Sequence, residues 1–138
     1  MANTVPAREY HTRQIHYLRK RVTYSDNGIA GGSTVKFANA LPANAFITQT
    51  KVYVHTVFNA ATTNVLTVGT NASTTNNIVA AADVNEASAQ MFNVEGVGIL
   101  DTSAPLDVYV KYTQTGTEAT TGAATIVIAY VPGEAPAV

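Results

Sequence analysis

The chain has 138 residues, the size of a single domain, and it contains no cysteine, which excludes a disulfide framework, a thiolate metal site and a cysteine nucleophile. Hydrophobic residues make up 46% of the sequence and charged residues only 12%, with a formal net charge of −1. A surface this poor in charge is typical of a protein that lies against neighbours. The polar N-terminal segment and the lack of a long apolar run predict a soluble protein with no cleaved signal and no membrane span.

Period-2 alternation of apolar and polar residues dominates the chain, which predicts an all-β fold. Runs rich in Val, Ile, Thr and Tyr, bounded by Gly, Pro, Asn and Ser, indicate about eight strands in one antiparallel β-sandwich domain. In chain order the predicted strands cover residues 13–24, 33–38, 46–58, 64–69, 77–82, 91–100, 106–115 and 123–131. Residues 83–91 carry the one helical signal, a short turn in which Asp83 caps a segment containing Glu86.

Alternate apolar positions on the longer strands predict the core of the sandwich. In the strand at 46–58, Val52 and Val54 share the core face, whereas Ile47, Lys51 and His55 lie on the opposite face. The predicted core residues are Val52, Val54, Phe58, Leu66, Val68, Val108, Val110, Ile126 and Ile128.

Basic residues are concentrated near the start of the chain. Residues 1–36 hold six of the eight basic side chains and two of the nine acids, so a basic segment precedes an acidic body. We therefore divide the chain into an extended basic N-terminal arm at 1–12, the sandwich at 13–131 and a flexible tail at 132–138. The candidate docking residues are Arg8, Arg13, Arg19, Lys20 and Arg21.

Three interpretations of this basic segment are open. It docks on an acidic partner protein through charge-assisted pairs, which is the interpretation that we favour. Alternatively, its charges point to solvent and keep an exposed strand edge from pairing with other chains. The third interpretation is contact with single-stranded nucleic acid, helped by Tyr10, Tyr17 and Tyr24. The acidic body would repel the same polyanion, so we expect no nucleic-acid partner.

The sequence contains no recognisable catalytic motif, and we expect neither enzymatic activity nor a cofactor. His11 and His16 are five residues apart, a spacing that suits metal ligation on neither a strand nor a helix. His55 has no nucleophile or carboxylate placed beside it by any motif, so we expect a surface or interface histidine. Asp101 and Asp107 flank a turn that is compatible with a calcium ion, although loop aspartates more often accept backbone N–H bonds.

Two blocks of the sequence resemble a known class of proteins. The segments KFANALPANAFITQTKVYVHTVFNAATTNVLTVGT and GILDTSAPLDVYVKYTQTGTEATTGAATIVIAYV resemble small β-rich virion proteins of tailed bacteriophages, including those of the capsid decoration or cement kind. The LPANA turn, the FNAATTNVLTVGT hairpin and the closing hairpin carry this resemblance. It implies a jelly-roll-like sandwich that binds the outside of an icosahedral capsid as a dimer or trimer.

In that reading the protein works mechanically, bridging subunits of the major capsid protein on the virion surface after assembly in the host cytoplasm. The basic segment would then reach an acidic coat surface. One alternative is another virion component, such as a head-fibre, tail or connector protein. Another is a carbohydrate-binding sandwich that uses Tyr53, Tyr109 and Tyr112 in place of the missing tryptophan, although Tyr109 and Tyr112 lie on opposite faces of their strand.

Overall fold

The computed structural model describes residues 15–26, 34–99 and 104–132, and in these ranges it contains seven strands and no helix. The strands are β1 (His16–Thr23), β2 (Thr34–Lys36), β3 (Phe46–Thr56), β4 (Thr63–Gly69), β5 (Met91–Ile99), β6 (Tyr109–Thr115) and β7 (Ala123–Val131). The all-β prediction is confirmed. Within the described residues no helix is long and apolar enough to span a membrane.

The strands form two antiparallel sheets. A four-stranded sheet has the order β1-β7-β3-β5, and a three-stranded sheet has the order β2-β6-β4. Consecutive strands among these seven alternate between the two sheets, so none of the described strands pairs with its neighbour in sequence. The central strand β7 pairs with both β1 and β3, whereas β1 and β5 lie at the two edges of the four-stranded sheet.

Side chains from both sheets form one hydrophobic core, the arrangement of a β-sandwich. The four-stranded sheet contributes Val22 and Ile126, the three-stranded sheet contributes Leu66 and Val110, and all four are fully buried. All nine residues predicted for the core are buried, which confirms the alternation argument on these strands.

One predicted face assignment in β3 is wrong. Ile47 was expected on the outer face, yet it is only 1% exposed. The register explains the difference: Ile47 faces Tyr130 and Gln49 faces the adjacent Ala129, so Thr48 is an extra residue relative to β7. This β-bulge reverses the alternation, because a one-residue insertion turns every side chain beyond it to the other face.

Two further predictions about local structure need correction. The predicted strand at 77–82 is reduced to a single bridge between Val79 and Val68, so the described residues contain seven strands rather than eight. The predicted short helix at 83–91 consists of turns instead. Asp83 accepts a hydrogen bond from the Ala80 N–H at 2.8 Å and so caps a turn that precedes it, not a helix that follows it.

The terminal segments of the predicted domain division lie almost entirely outside the described residues. This holds for the whole arm at 1–12 and for the tail at 132–138 beyond Pro132. The boundaries of the arm and tail therefore stay predictions.

Candidate docking surface

The structure describes three of the five candidate docking residues. Arg8 and Arg13 lie outside the described residues. Arg19 and Arg21 are exposed on β1, but Lys20 between them is half-buried and shares its side of the strand with the buried Leu18. Alternation along a strand is the cause, since successive side chains point to opposite faces. Of the candidates that the structure describes, Arg19 and Arg21 therefore belong to the exposed face of the four-stranded sheet and Lys20 does not.

Cross-strand neighbours of these arginines define a continuous surface. Arg19 is paired in register with Val127, Lys51 and Asn93, and Arg21 with Thr125, Tyr53 and Met91. We call this surface the outer sheet face. It consists of Tyr17, Arg19, Arg21, Gln49, Lys51, Tyr53, His55, Met91, Asn93, Glu95, Thr125, Val127 and Ala129.

The outer sheet face carries an excess of positive charge. Its ionised side chains are the cations Arg19, Arg21 and Lys51 and one anion, Glu95, on the far edge strand. None of the three cations has a described carboxylate within ion-pair distance. The ion pair that the described residues do form, Lys36 with Asp107 at 3.4 Å, belongs to the other sheet. The positive charge of this face is thus available to an external anion.

Among the recesses on the outer sheet face, two are lined by side chains of β1 and the strands beside it. The first, here called the arginine recess, has a volume of about 340 Å³ and is lined by Arg19, Arg21, His55 and Thr125. In it, His55 Nε2 and Thr125 Oγ1 are joined by a hydrogen bond of 2.7 Å. The Tyr53 ring meets the His55 ring edge-on, with centroids 4.3 Å apart. These contacts give the imidazole a fixed orientation beside the two guanidinium groups.

The second recess is smaller and more apolar. It has a volume of about 180 Å³ and is lined by Ile15, Tyr17, Thr48, Gln49, Lys51, Val127 and Ala129. Ile15 is 54% exposed and Tyr17 is 65% exposed. Exposed aromatic, aliphatic and arginine side chains on one sheet face are similar in composition to the surfaces through which proteins bind one another.

Sequence reasoning missed the contribution of β3 and β7 to this surface. The alternation placed Lys51, Tyr53 and His55 on one exposed face of β3, which is correct. It gave no reason to put them beside Arg19 and Arg21, because β7, more than a hundred residues after β1, lies between the two strands. A search for strands with exposed aromatic and basic side chains would have found both β1 and β3. It would not have shown that the two strands lie in the same sheet face.

A buried polar cluster lies on the opposite side of the core. Glu86 is 5% exposed, and its Oε1 accepts a hydrogen bond from the Leu66 N–H at 2.6 Å. Burial raises the pKa of the Glu86 carboxyl above its ordinary value. Burial, with a smaller effect from the Glu86 charge, raises the pKa of Tyr112 to about 12, and the Tyr112 hydroxyl donates to Asn64 Oδ1. The cluster fastens the loop before β5 to β4.

The other candidate sites either have members that the fold separates or include residues outside the described ranges. Tyr112 is fully buried, so it cannot form a sugar-stacking platform with the exposed Tyr53. Asp107 is paired with Lys36, and its expected calcium partner Asp101 lies outside the described residues, as does His11. In the part of the chain that the structure describes, no three His, Asp or Glu side chains are grouped to hold a metal ion.

A comparison with solved structures finds a close match in fold. A chain of the structure entitled "Cyanophage Pam1 capsid asymmetric unit" superposes with a TM-score of 0.69 and 16% sequence identity. The match covers 96% of this chain and 94% of that chain, so the two have nearly the same length. No protein-family model matches the chain. No curated protein matches its sequence.

Proposed function

We propose that the chain is a structural protein of a phage virion, of the decoration or cement kind, which binds the outside of the capsid and has no catalytic role. The observation that carries the proposal is the likeness in fold, over almost the full length of both chains, to a chain from a cyanophage capsid. The strict alternation of consecutive strands between the two sheets supports the jelly-roll form of the sandwich.

The outer sheet face supplies a surface suited to this role. A decoration protein needs many modest contacts with a repeating lattice, where multivalency turns weak individual affinities into lasting attachment. Arg19, Arg21 and Lys51 give the face its positive charge, and Tyr17 and Met91 give it exposed apolar area. The partner is then an acidic surface of the major capsid protein. We further propose a homo-oligomer, a dimer or a trimer, because a closed symmetric assembly multiplies these contacts.

The position of the protein in the particle tests the proposal against its alternatives. We expect cryo-electron microscopy of the virion to show the sandwich at regularly repeated positions on the outer surface of the head. Purified protein should also sediment with undecorated capsids, and less of it should do so as salt rises, because charge contacts are screened over about 8–10 Å at physiological ionic strength. Density confined to the tail, the connector or a head fibre would contradict decoration and favour another virion component.

A further inference from the structure

The arginine recess offers a specific ligand site within the outer sheet face. Arg19 and Arg21 are two residues apart on one face of β1, which places their Cα atoms about 7 Å apart. Thr125 is the cross-strand neighbour of Arg21, and His55 lies beyond it on β3. Two permanent cations and an oriented imidazole thus converge on one open recess.

The charges of this recess are uncompensated within the described residues. Neither arginine has a described carboxylate within ion-pair distance, and their mutual repulsion favours an anion between them. A guanidinium group presents a planar fork of N–H donors that matches the two oxygens of a carboxylate. We propose that the arginine recess is a carboxylate-binding site that receives an acidic side chain of the coat protein. This inference rests on the proposed function.

The surroundings of the recess favour a protein carboxylate over a nucleic-acid phosphate. Tyr53, Met91 and Val127 lie beside the recess and suit the apolar part of a folded partner. Tyr53 lies two strands across the sheet from Tyr17 and four residues along it. Their Cα atoms are therefore about 16 Å apart, which is too far for the two rings to stack on successive bases. Glu95 on the same face would repel a continuous polyanion. An acidic loop of a globular partner avoids both problems.

The chain contains a control residue for this site. Lys20 lies between the two arginines in sequence, but its side chain is on the opposite side of β1. Replacing Lys20 with Gln removes one positive charge from the same segment without touching the recess. The double variant Arg19→Gln, Arg21→Gln removes the charges of the recess itself. Circular dichroism and thermal melting of each variant should first show an intact fold, since the replaced side chains lie on the surface or at its margin.

The decisive measurement compares two anions on the isolated protein. Hexaglutamate and hexathymidylate of similar charge are titrated while NMR follows the side-chain signals of Arg19, Arg21 and His55. We expect hexaglutamate to shift these signals saturably, and more tightly than hexathymidylate does at equal salt. The double variant should lose the response at His55, which is the one of the three side chains that it keeps, while Lys20→Gln should retain the response at all three. Tighter binding of the oligonucleotide, or equal shifts at the remote Lys36 and Lys111, would overturn the proposed site.

Capsid sedimentation separates this inference from the proposed function. We expect the double variant to bind undecorated capsids about tenfold more weakly, and Lys20→Gln to bind within about twofold of wild type. If the double variant binds capsids as well as wild type does, the proposed site is wrong and decoration stands. If wild type binds hexaglutamate at the recess but does not bind capsids, the proposed decoration role is refuted. The proposal that the recess receives a carboxylate of the coat protein is then refuted as well.

Discussion

Glu86 shows how a single buried carboxyl group makes the stability of this fold depend on pH. Its pKa is raised by burial, and the hydrogen bond from the Leu66 N–H offsets only part of that effect. The protonated form is therefore favoured in the folded state relative to the unfolded chain. The stability that this difference provides is fully present below about pH 4.5, the ordinary pKa, and is lost as pH rises through the raised pKa of the folded state.

Replacing Glu86 with Gln should remove this pH dependence. The amide oxygen still accepts from the Leu66 N–H, and the side chain can no longer ionise. Between pH 4.5 and 7 we expect the free energy of unfolding to fall less in the variant than in wild type. The gap should be about 1.4 kcal/mol for each unit by which the pKa of Glu86 is higher in the folded than in the unfolded chain. Urea denaturation at several pH values measures it. Asp83→Asn, an exposed change in the same loop, is the control; parallel curves for Glu86→Gln and wild type would contradict the argument.

At the scale of elements, the bulge in β3 decides which side chains reach the core. On the β7 side Thr48 is the extra residue, and on the β5 side Gly96 and Val97 together face Thr48. Gly96 permits this close approach, since a Cβ atom there would lie 2.3 Å from the Thr48 carbonyl oxygen and 2.4 Å from that of Ile47. The obstacle is backbone, so no side chain can move aside.

The variant Gly96→Ala should therefore destabilise the sandwich. The new methyl group forces β3 and β5 apart at the bulge, and we expect a loss of roughly 1–3 kcal/mol, the usual range for overpacking. Thermal unfolding with a fixed buffer measures it. Val97→Ala, an exposed change next to Gly96 on the same strand, should alter stability by less than about 0.5 kcal/mol. Equal melting temperatures for Gly96→Ala and wild type would show that the strands absorb the methyl group.

The sequence predicted all seven strands, together with an eighth at 77–82 that the structure does not form, but it did not predict the bulge or the pairing of distant strands. Alternation gives the bounds of β7 and the nine core positions, because burial of one face imposes period 2 on the residues. Alternation assigns Ile47 to the wrong face, because nothing in the segment FITQT indicates that Thr48 is an inserted residue. The outer sheet face is likewise a product of topology: Arg21 and Tyr53 are paired through Thr125 only after the chain has folded.

At the scale of the whole molecule, the four-stranded sheet ends in β1 and β5, and no further strand of the described residues pairs with the outer side of either. The Tyr24 N–H donates to the Gly122 carbonyl, so by alternation the backbone groups of Tyr17, Arg19 and Arg21 point away from β7. The next outward N–H in this series, that of Thr23, donates to Asp26 Oδ2 at 2.9 Å and is therefore satisfied within the chain. Backbone N–H and C=O groups that have no partner on an edge strand can pair with a strand of another chain. Natural sheets discourage such pairing by placing inward-pointing charged side chains on the edge strand.

Lys20 fits that protective description, although the second interpretation of the basic segment expected its charges to point to solvent rather than inward. It lies on the core-facing side of β1 between Leu18 and Val22, where a second copy pairing along this edge would have to bury its ammonium group. We therefore expect Lys20→Val to keep the fold and to form species larger than the wild-type oligomer, with a mass that grows with concentration. Light scattering coupled to size exclusion measures this. Lys20→Gln, which stays polar, should elute with wild type; a Lys20→Val variant of unchanged mass at all concentrations would show that other features of the edge prevent pairing.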